Sequence, residues 1–210
     1  MILFLSGLIL LSAVLHIRAE YAANLRQIFF FKPTTTLLII LVCFLQAAGI
    51  SSGYYYFVLA GLLFSLGGDV FLMLPSDRFL HGLLSFLCAH VIYILAFSRD
   101  YGFQIHIVYL LPMFVLGAGL LTILLPHTGT MTLPVIVYII IITAMAWQAI
   151  ERWGIAHTPN AGLAAVGAIL FVVSDAILAY DRFVKPFQFA RVLVLATYYL
   201  AQWGIAMSVA

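Results

Sequence analysis

Apolar residues in this chain come in long unbroken runs, with most of the charged positions gathered between them. Eight runs can be marked, at roughly 1–17, 34–50, 54–75, 79–97, 105–125, 131–150, 160–180 and 187–208. Apolar stretches of about 18 residues or more are read as membrane-spanning helices, because about 20 residues rising about 1.5 Å each cross the hydrocarbon. The strands of a membrane β-barrel would alternate polar and apolar positions over about 10 residues, and these runs do not. The pattern predicts an all-α membrane protein, a bundle of about eight transmembrane helices. It forms one polytopic domain over residues 1–210, with connections too short to hold a soluble domain. The first run has no positive residue ahead of it, and its first charge, Arg18, follows it. It therefore reads as a retained helix and not as a cleaved signal.

Composition agrees with this pattern. Of 210 residues, 66% are hydrophobic and 8% charged, with a mean hydropathy of +1.20; soluble domains carry about 25% charged residues. Cys43 and Cys88 both fall inside spans without a C-x-x-C pairing and read as ordinary buried thiols. With eight spans, Arg18, Arg26, Lys32, Arg78, Arg182, Lys185 and Arg191 lie on one side, and Arg99 and Arg152 on the other. Positive charge stays on the cytoplasmic side, so both termini are expected outside, in a cell membrane of the bacterial inner-membrane kind.

Two runs contain a single acid. "GLLFSLGGDVFLML" (61–74) carries Asp69 and "GAILFVVSDAILAY" (167–180) carries Asp175, with no Lys or Arg beside either. Each is expected about 8 Å inside the cytoplasmic interface, at about 1.5 Å per residue. An ionised Asp at a helix centre costs about 2.5–3.5 kcal/mol on insertion scales, which makes intramembrane acids functional candidates. Gly61 and Asp69 match Gly167 and Asp175 at an offset of 106, and "DRF" at 77–79 matches "DRF" at 181–183 at an offset of 104. Pro33 and Pro134 open spans two and six, with Gln46 and Gln148 near their far ends. This suggests two four-helix half-repeats, 1–104 and 105–210, in parallel orientation, with the acids facing one another across a pseudo-axis.

Other polar groups fall on the stripes of their helices. Span four carries Gly82, Phe86, His90 and Tyr93; span six carries Tyr138, Met145 and Gln148; span eight carries Arg191, Tyr198, Tyr199 and Gln202. His90 and Tyr198 lie too deep for the interfacial aromatic belt. A buried histidine is as readily a core residue as a ligand-binding one. Lys32 reads either as a snorkelling anchor or as a phosphate contact. The chain has no G-x-S-x-G, H-E-x-x-H, Walker A or dinucleotide-binding turn, so no cofactor is implied. His16, His81, His90, His106, His127 and His157 show no metal-ligand spacing. Nine scattered basic residues give nucleic-acid binding no support.

Several stretches resemble the YhhN-like family of membrane lysoplasmalogenases: "GGDVFLML" followed by "FLHGLLSFLCAHVIY", "GAILFVVSDAILAYDRF", and the weaker "KPTTTL" and "TYYLAQ". The resemblance runs from Lys32 to Gln202 and shows no departure in the two Asp motifs. It implies an eight-span integral membrane protein. It also implies hydrolysis of the 1-alkenyl ether of lysoplasmalogens to a fatty aldehyde and a glycerophospho-base. The partners expected are the lysophospholipid substrate and the lipid bilayer. Vinyl ethers hydrolyse by protonation of the outer alkene carbon, giving an oxocarbenium ion that water captures, a cation that paired carboxyls serve in glycosidases. Two acids close together in an apolar site do not both ionise, so one would hold a proton while the other stays charged. The expected site is therefore catalytic Asp69 and Asp175, with Lys32, His90, Tyr93, Tyr138, Tyr198, Tyr199 and Gln202 around the substrate. The alternatives are a proton-coupled transporter, or a non-catalytic lipid-binding protein, using the same Asp pair.

Overall fold

Each apolar run folds as one helix. The computed structural model describes residues 1–46 and 53–209. Its helices are α1 (Ile2–Tyr21), α2 (Leu25–Gln46), α3 (Gly53–Met73), α4 (Phe79–Ser98), α5 (Ile107–Leu124), α6 (Thr132–Ala156), α7 (Pro159–Ala179) and α8 (Ala190–Met207). There is no strand among the described residues. The 47–50 end of the second expected span lies outside them. Seven helices are long and apolar enough to cross a membrane. The eighth, α8, has 18 residues, but Arg191, Tyr198, Tyr199 and Gln202 dilute its apolar character. The outer faces are hydrocarbon: Leu3, Leu10, Phe30, Phe44 and Phe114 are each more than half exposed. Lipid can cover these faces without loss, while the polar side chains turn inward.

Two boundaries differ most from the sequence expectation, both for local reasons. Helix α2 starts at Leu25, so Pro33 lies inside it and does not open it. Proline removes a backbone donor in a helix interior. Here Thr34, Thr35 and Thr36 turn their hydroxyls back onto the carbonyls of Phe30, Phe31 and Lys32, at 2.6, 2.7 and 3.5 Å. The carbonyl that Pro33 leaves without its donor is that of Phe29, and these hydroxyls add bonds along the turn next to it, as side chains do around proline in membrane helices. Helix α6 runs on to Ala156 and ends on His157 in the left-handed conformation, φ 51°. Thr158 then caps α7 by accepting the Ala161 N–H, with Pro159 in the first turn. At its other end α7 continues through one turn of π-helix, Tyr180–Val184.

Helices adjacent in sequence pack as antiparallel neighbours, with the exception of α4 and α5. In addition α2 packs on α8 and α4 packs on α6, while α1 also meets α8. Glycines set the closest approaches. The rings of Tyr93 and Phe86 lie over Gly61 and Gly68 on the α3–α4 seam, where any Cβ would collide with them. On the α7–α8 seam, a Cβ at Gly167 would stand 2.8 Å from the Ala201 carbonyl oxygen and 3.1 Å from the Ile205 nitrogen. Those neighbours are backbone, which has nowhere to move unless the helices part.

Gly167→Leu should therefore destabilise the protein by about 1–3 kcal/mol, the usual cost of overpacking. This is read as a lower thermal midpoint in detergent. Gly7 has open space around it, so Gly7→Leu should show no such loss. Equal midpoints for the two variants would count against Gly167 as a fixed point of helix contact.

Candidate functional site

The buried stripe of α3 comprises Gly61, Ser65, Gly68 and Asp69. Because α4 closes over the two glycines, Asp69 turns inward, 2% exposed. Three groups from two other helices meet its carboxylate. Thr36 of α2 and Tyr198 of α8 each donate to Oδ2 at 2.7 Å, and Lys32 Nζ lies 3.8 Å from Oδ1. Lys32 and Thr36 are four positions apart, which puts them on one face of α2. Behind Tyr198 the polar chain continues. Its hydroxyl accepts from Gln202 Nε2 at 3.2 Å, and Gln202 Oε1 accepts from Tyr93 at 3.0 Å.

Asp175 on α7 is half-buried, and its Oδ2 accepts the hydroxyl of Tyr138 from α6. No cation pairs with it among the described residues, whereas Asp69 has Lys32. The phenols that hold the two acids belong to one aromatic cluster. Tyr198 meets Phe171 edge-on at 5.5 Å, Phe171 meets His90 at 4.7 Å, and His90 meets Tyr138 at 5.2 Å. Phe86 meets both Tyr198 and Phe171.

Both acids line one cavity of about 540 Å³, together with Lys32, Tyr198, Glu20 and Arg191. Its rim is made by the α3–α4 and α7–α8 connections, and there the two "DRF" stretches meet. Arg182 donates to Asp77 Oδ2 at 2.6 Å and lies over the Phe79 ring, and Phe79 meets Phe183 edge-on at 5.7 Å. The Arg182 hydrogen bond, followed by the Phe79 backbone N–H, holds the Asp77 carboxyl below the usual carboxylate range. On the other wall Arg191 Nη1 lies 3.8 Å from Glu20 Oε2, and His16 Nε2 lies 3.4 Å from Glu20 Oε1.

Of the residues expected from the sequence, Asp69, Asp175, Lys32 and Tyr198 line this cavity, and Tyr138 holds Asp175. Gln202 and Tyr93 stand one and two hydrogen bonds behind Tyr198. His90 is fully buried among aromatic rings, and neither ring nitrogen has a protein partner among the described residues. Tyr199 turns away towards α1, where it pairs with His16 Nδ1 at 2.8 Å. Sequence reasoning passed over Thr36, Glu20, Arg78, Asp77 and Arg182. The recurring "DRF" held a signal for Asp77, Arg78 and Arg182, whereas Thr36 is one of three like threonines and Glu20 stands at the end of an apolar run, where a carboxylate is ordinary.

A family model described as the YhhN family matches residues 27–209. The chain is 37% identical over 157 residues to lysoplasmalogenase TMEM86A of Bos taurus, covering 72% of this chain and 64% of that one. It is 36% identical over 149 residues to lysoplasmalogenase TMEM86B of Homo sapiens, covering 70% and 60%. It is 30% identical over 151 residues to the membrane protein YhhN of Escherichia coli O157:H7, covering 72% and 73%. The matched part thus spans less than two thirds of the two lysoplasmalogenases. No solved structure matches the chain.

The Lys32–Asp69 contact makes a stability prediction. Removing one member of a buried pair leaves an uncompensated charge. Lys32→Met should lower the thermal midpoint at neutral pH, and adding Asp69→Asn should restore part of the loss. The coupling expected for neighbouring charges is on the order of 1–3 kcal/mol. Strictly additive losses in the double variant would show that the two side chains do not sense each other.

Proposed function

The chain belongs to the YhhN family, and from that premise we propose that it is a lysoplasmalogenase. It is an ether-bond hydrolase that converts a 1-alkenyl lysophospholipid and water to a fatty aldehyde and a glycerophospho-base. The observation that carries this reading is the placing of two carboxyls with unlike surroundings on one cavity. Asp69 receives two hydroxyl donors and stands beside an ammonium group, a setting that suits a carboxylate. Asp175 receives one phenol on Oδ2, which leaves Oδ1 to carry a proton. The pair separates into an acid and a base as paired carboxyls do in glycoside hydrolysis.

In this mechanism the Asp175 carboxyl gives its proton to the outer carbon of the alkenyl group. The inner carbon and the ether oxygen then share the positive charge, which the Asp69 carboxylate stabilises. Water adds to the inner carbon as Asp69 takes one of its protons, forming a hemiacetal. The carbon–oxygen bond to glycerol breaks with transfer of the hydroxyl proton to the leaving oxygen, and the aldehyde departs. The proton on Asp69 returns to Asp175, so each turnover consumes one water. Tyr198 and Tyr138 position the acids, with Gln202, Tyr93, Tyr199 and His90 packed behind them. Lys32 balances Asp69 and, with Arg78 and Arg191 on the same cavity, supplies positive charge for the phosphate. Those cations at the cavity end favour the cytoplasmic side for the acids and the outside for both termini. The helix neighbours favour two halves, 1–104 and 105–210. α2 packs on α3 and α8 as α6 packs on α7 and α4, with Thr36 serving Asp69 where Tyr138 serves Asp175.

Purified protein given a lysoplasmalogen in deuterium oxide should release a fatty aldehyde with one deuterium on its second carbon, because protonation occurs there. A carrier or a lipid-binding protein would release none, and absence of aldehyde would overturn the reading. Asp69→Asn and Asp175→Asn should each lower kcat by at least ~10²-fold, the scale of a lost acid–base group, while the protein stays folded. Wild-type turnover in either variant would remove that residue from the mechanism.

A further inference from the structure

Asp175 stands where two spaces join. The polar cavity and a second, apolar slot share Leu72, Phe79, Phe86 and Leu178 as well as Asp175. Beyond Asp175 the slot is walled with hydrocarbon: Leu83 of α4, Leu120 and Leu124 of α5, Ile139 and Ile142 of α6, and Val172 of α7. Core packing is interrupted along it. Phe86, Tyr138, Ile142 and Val172 belong to the main core, while Leu124, Val135 and Ile139 form a small separate cluster.

The interruption follows from how α5 sits. Helix α1 closes on α8 through the Tyr199–His16 contact and through Trp203, which donates to Ser6 at 3.0 Å. The place in the second half that corresponds to that seam is α5 against α4. There α5 packs on α6 and on the π turn but not along α4. Only 11% of the α5 span is buried, against 33–56% for the other six spans. One seam of the bundle is therefore closed, and its counterpart stands open to lipid beside Asp175.

We propose that the α4–α5 slot is a lateral portal and binding site for the hydrocarbon chain of a lipid. The lipid enters from the bilayer so that its ether end reaches Asp175 while its phosphate lies in the polar cavity. This rests on the lysoplasmalogenase reading for the identity of the lipid. A chain drawn in through the polar mouth would expose each methylene to water, whereas one sliding in from the bilayer exchanges lipid hydrocarbon for protein hydrocarbon. The enclosed part of the slot is small, about 50 Å³. It therefore holds the carbons next to the ether, and the rest of the chain stays between α4 and α5 in lipid.

The test uses full-length protein in lipid nanodiscs with a long-chain lysoplasmalogen and a short, water-soluble 1-alkenyl analogue. Leu83→Trp and Leu120→Trp narrow the slot from opposite walls. Each should lower the ratio of kcat/KM for the long substrate to that for the short one by at least ~10-fold, within the range set by small changes in an apolar pocket. An unchanged ratio in both variants would overturn the portal. A second readout does not depend on turnover: a lysophospholipid with a photoreactive diazirine on the chain carbons nearest the headgroup linkage. Labelling of α4 and α5 residues of the slot supports the portal even if the wild type releases no aldehyde, in which case the hydrolase reading alone fails. Labelling confined to other faces of the bundle overturns it.

Discussion

A carboxylate carried into a membrane bundle has to be solvated by protein groups, because the surrounding lipid offers neither donors nor counter-charge. Asp69 imposes that requirement on two other helices at once. Helix α2 answers with Lys32 and Thr36, one turn apart, and α8 answers with Tyr198. The Tyr198 hydroxyl calls for Gln202, and Gln202 calls for Tyr93, so the need for satisfied partners reaches α4 as well. The rotation of four helices about their axes is tied to one oxygen pair. A buried acid alone does not make a site, however. Glu151 is 1% exposed and is saturated by the backbone and ring of His106 and by Trp147 at 2.9 Å. It lines neither the polar cavity nor the slot, and its carboxylate pins the start of α5 to α6. Asp69 and Asp175 differ in having open space in front of them.

Among the described residues the two acids have no common hydrogen-bond partner. What relates them is the aromatic cluster running from Tyr198 through Phe171 and His90 to Tyr138. Ring pairs of this edge-to-face kind contribute about 0.5–1.5 kcal/mol each beyond their burial. The phenols that hold the two acids are thus linked through the contact between Phe171 and His90. At the rim the "DRF" stretches play the corresponding part, clasping the α3–α4 connection to the turn after α7. The π turn there, a local irregularity of the sort that accompanies functional sites, is what brings Arg182 and Phe183 to Asp77 and Phe79.

Much of this was legible in the chain itself. Unbroken apolar runs specify helices of membrane length, because backbone groups in lipid must bond within their own segment. The Gly61, Ser65, Gly68 and Asp69 stripe specifies which face of α3 turns inward, since small residues and an acid on one face are both unsuited to lipid. The recurrence of "DRF" marked two stretches that meet at the rim, and the recurrence of Asp marked two residues that line one cavity. Thr36 could not be found this way. Three consecutive threonines look alike in sequence, and only the packing of α2 presents Thr36 to Asp69 while Thr34 and Thr35 bond back onto their own helix.

By itself, then, the sequence determined the helices, their inward faces and the two acids, because these depend on residue type and on spacings of a few positions. The tertiary structure alone decided which donors each acid receives. Thr36 and Tyr198 reach Asp69 from 33 and 129 residues away, and Tyr138 reaches Asp175 from 37. It also decided that α1 closes on α8 while α5 leaves α4 open. Apolar faces of similar composition can meet either lipid or one another, and pairs such as His16 with Tyr199 and Ser6 with Trp203, far apart in the chain, are set only when the helices assemble.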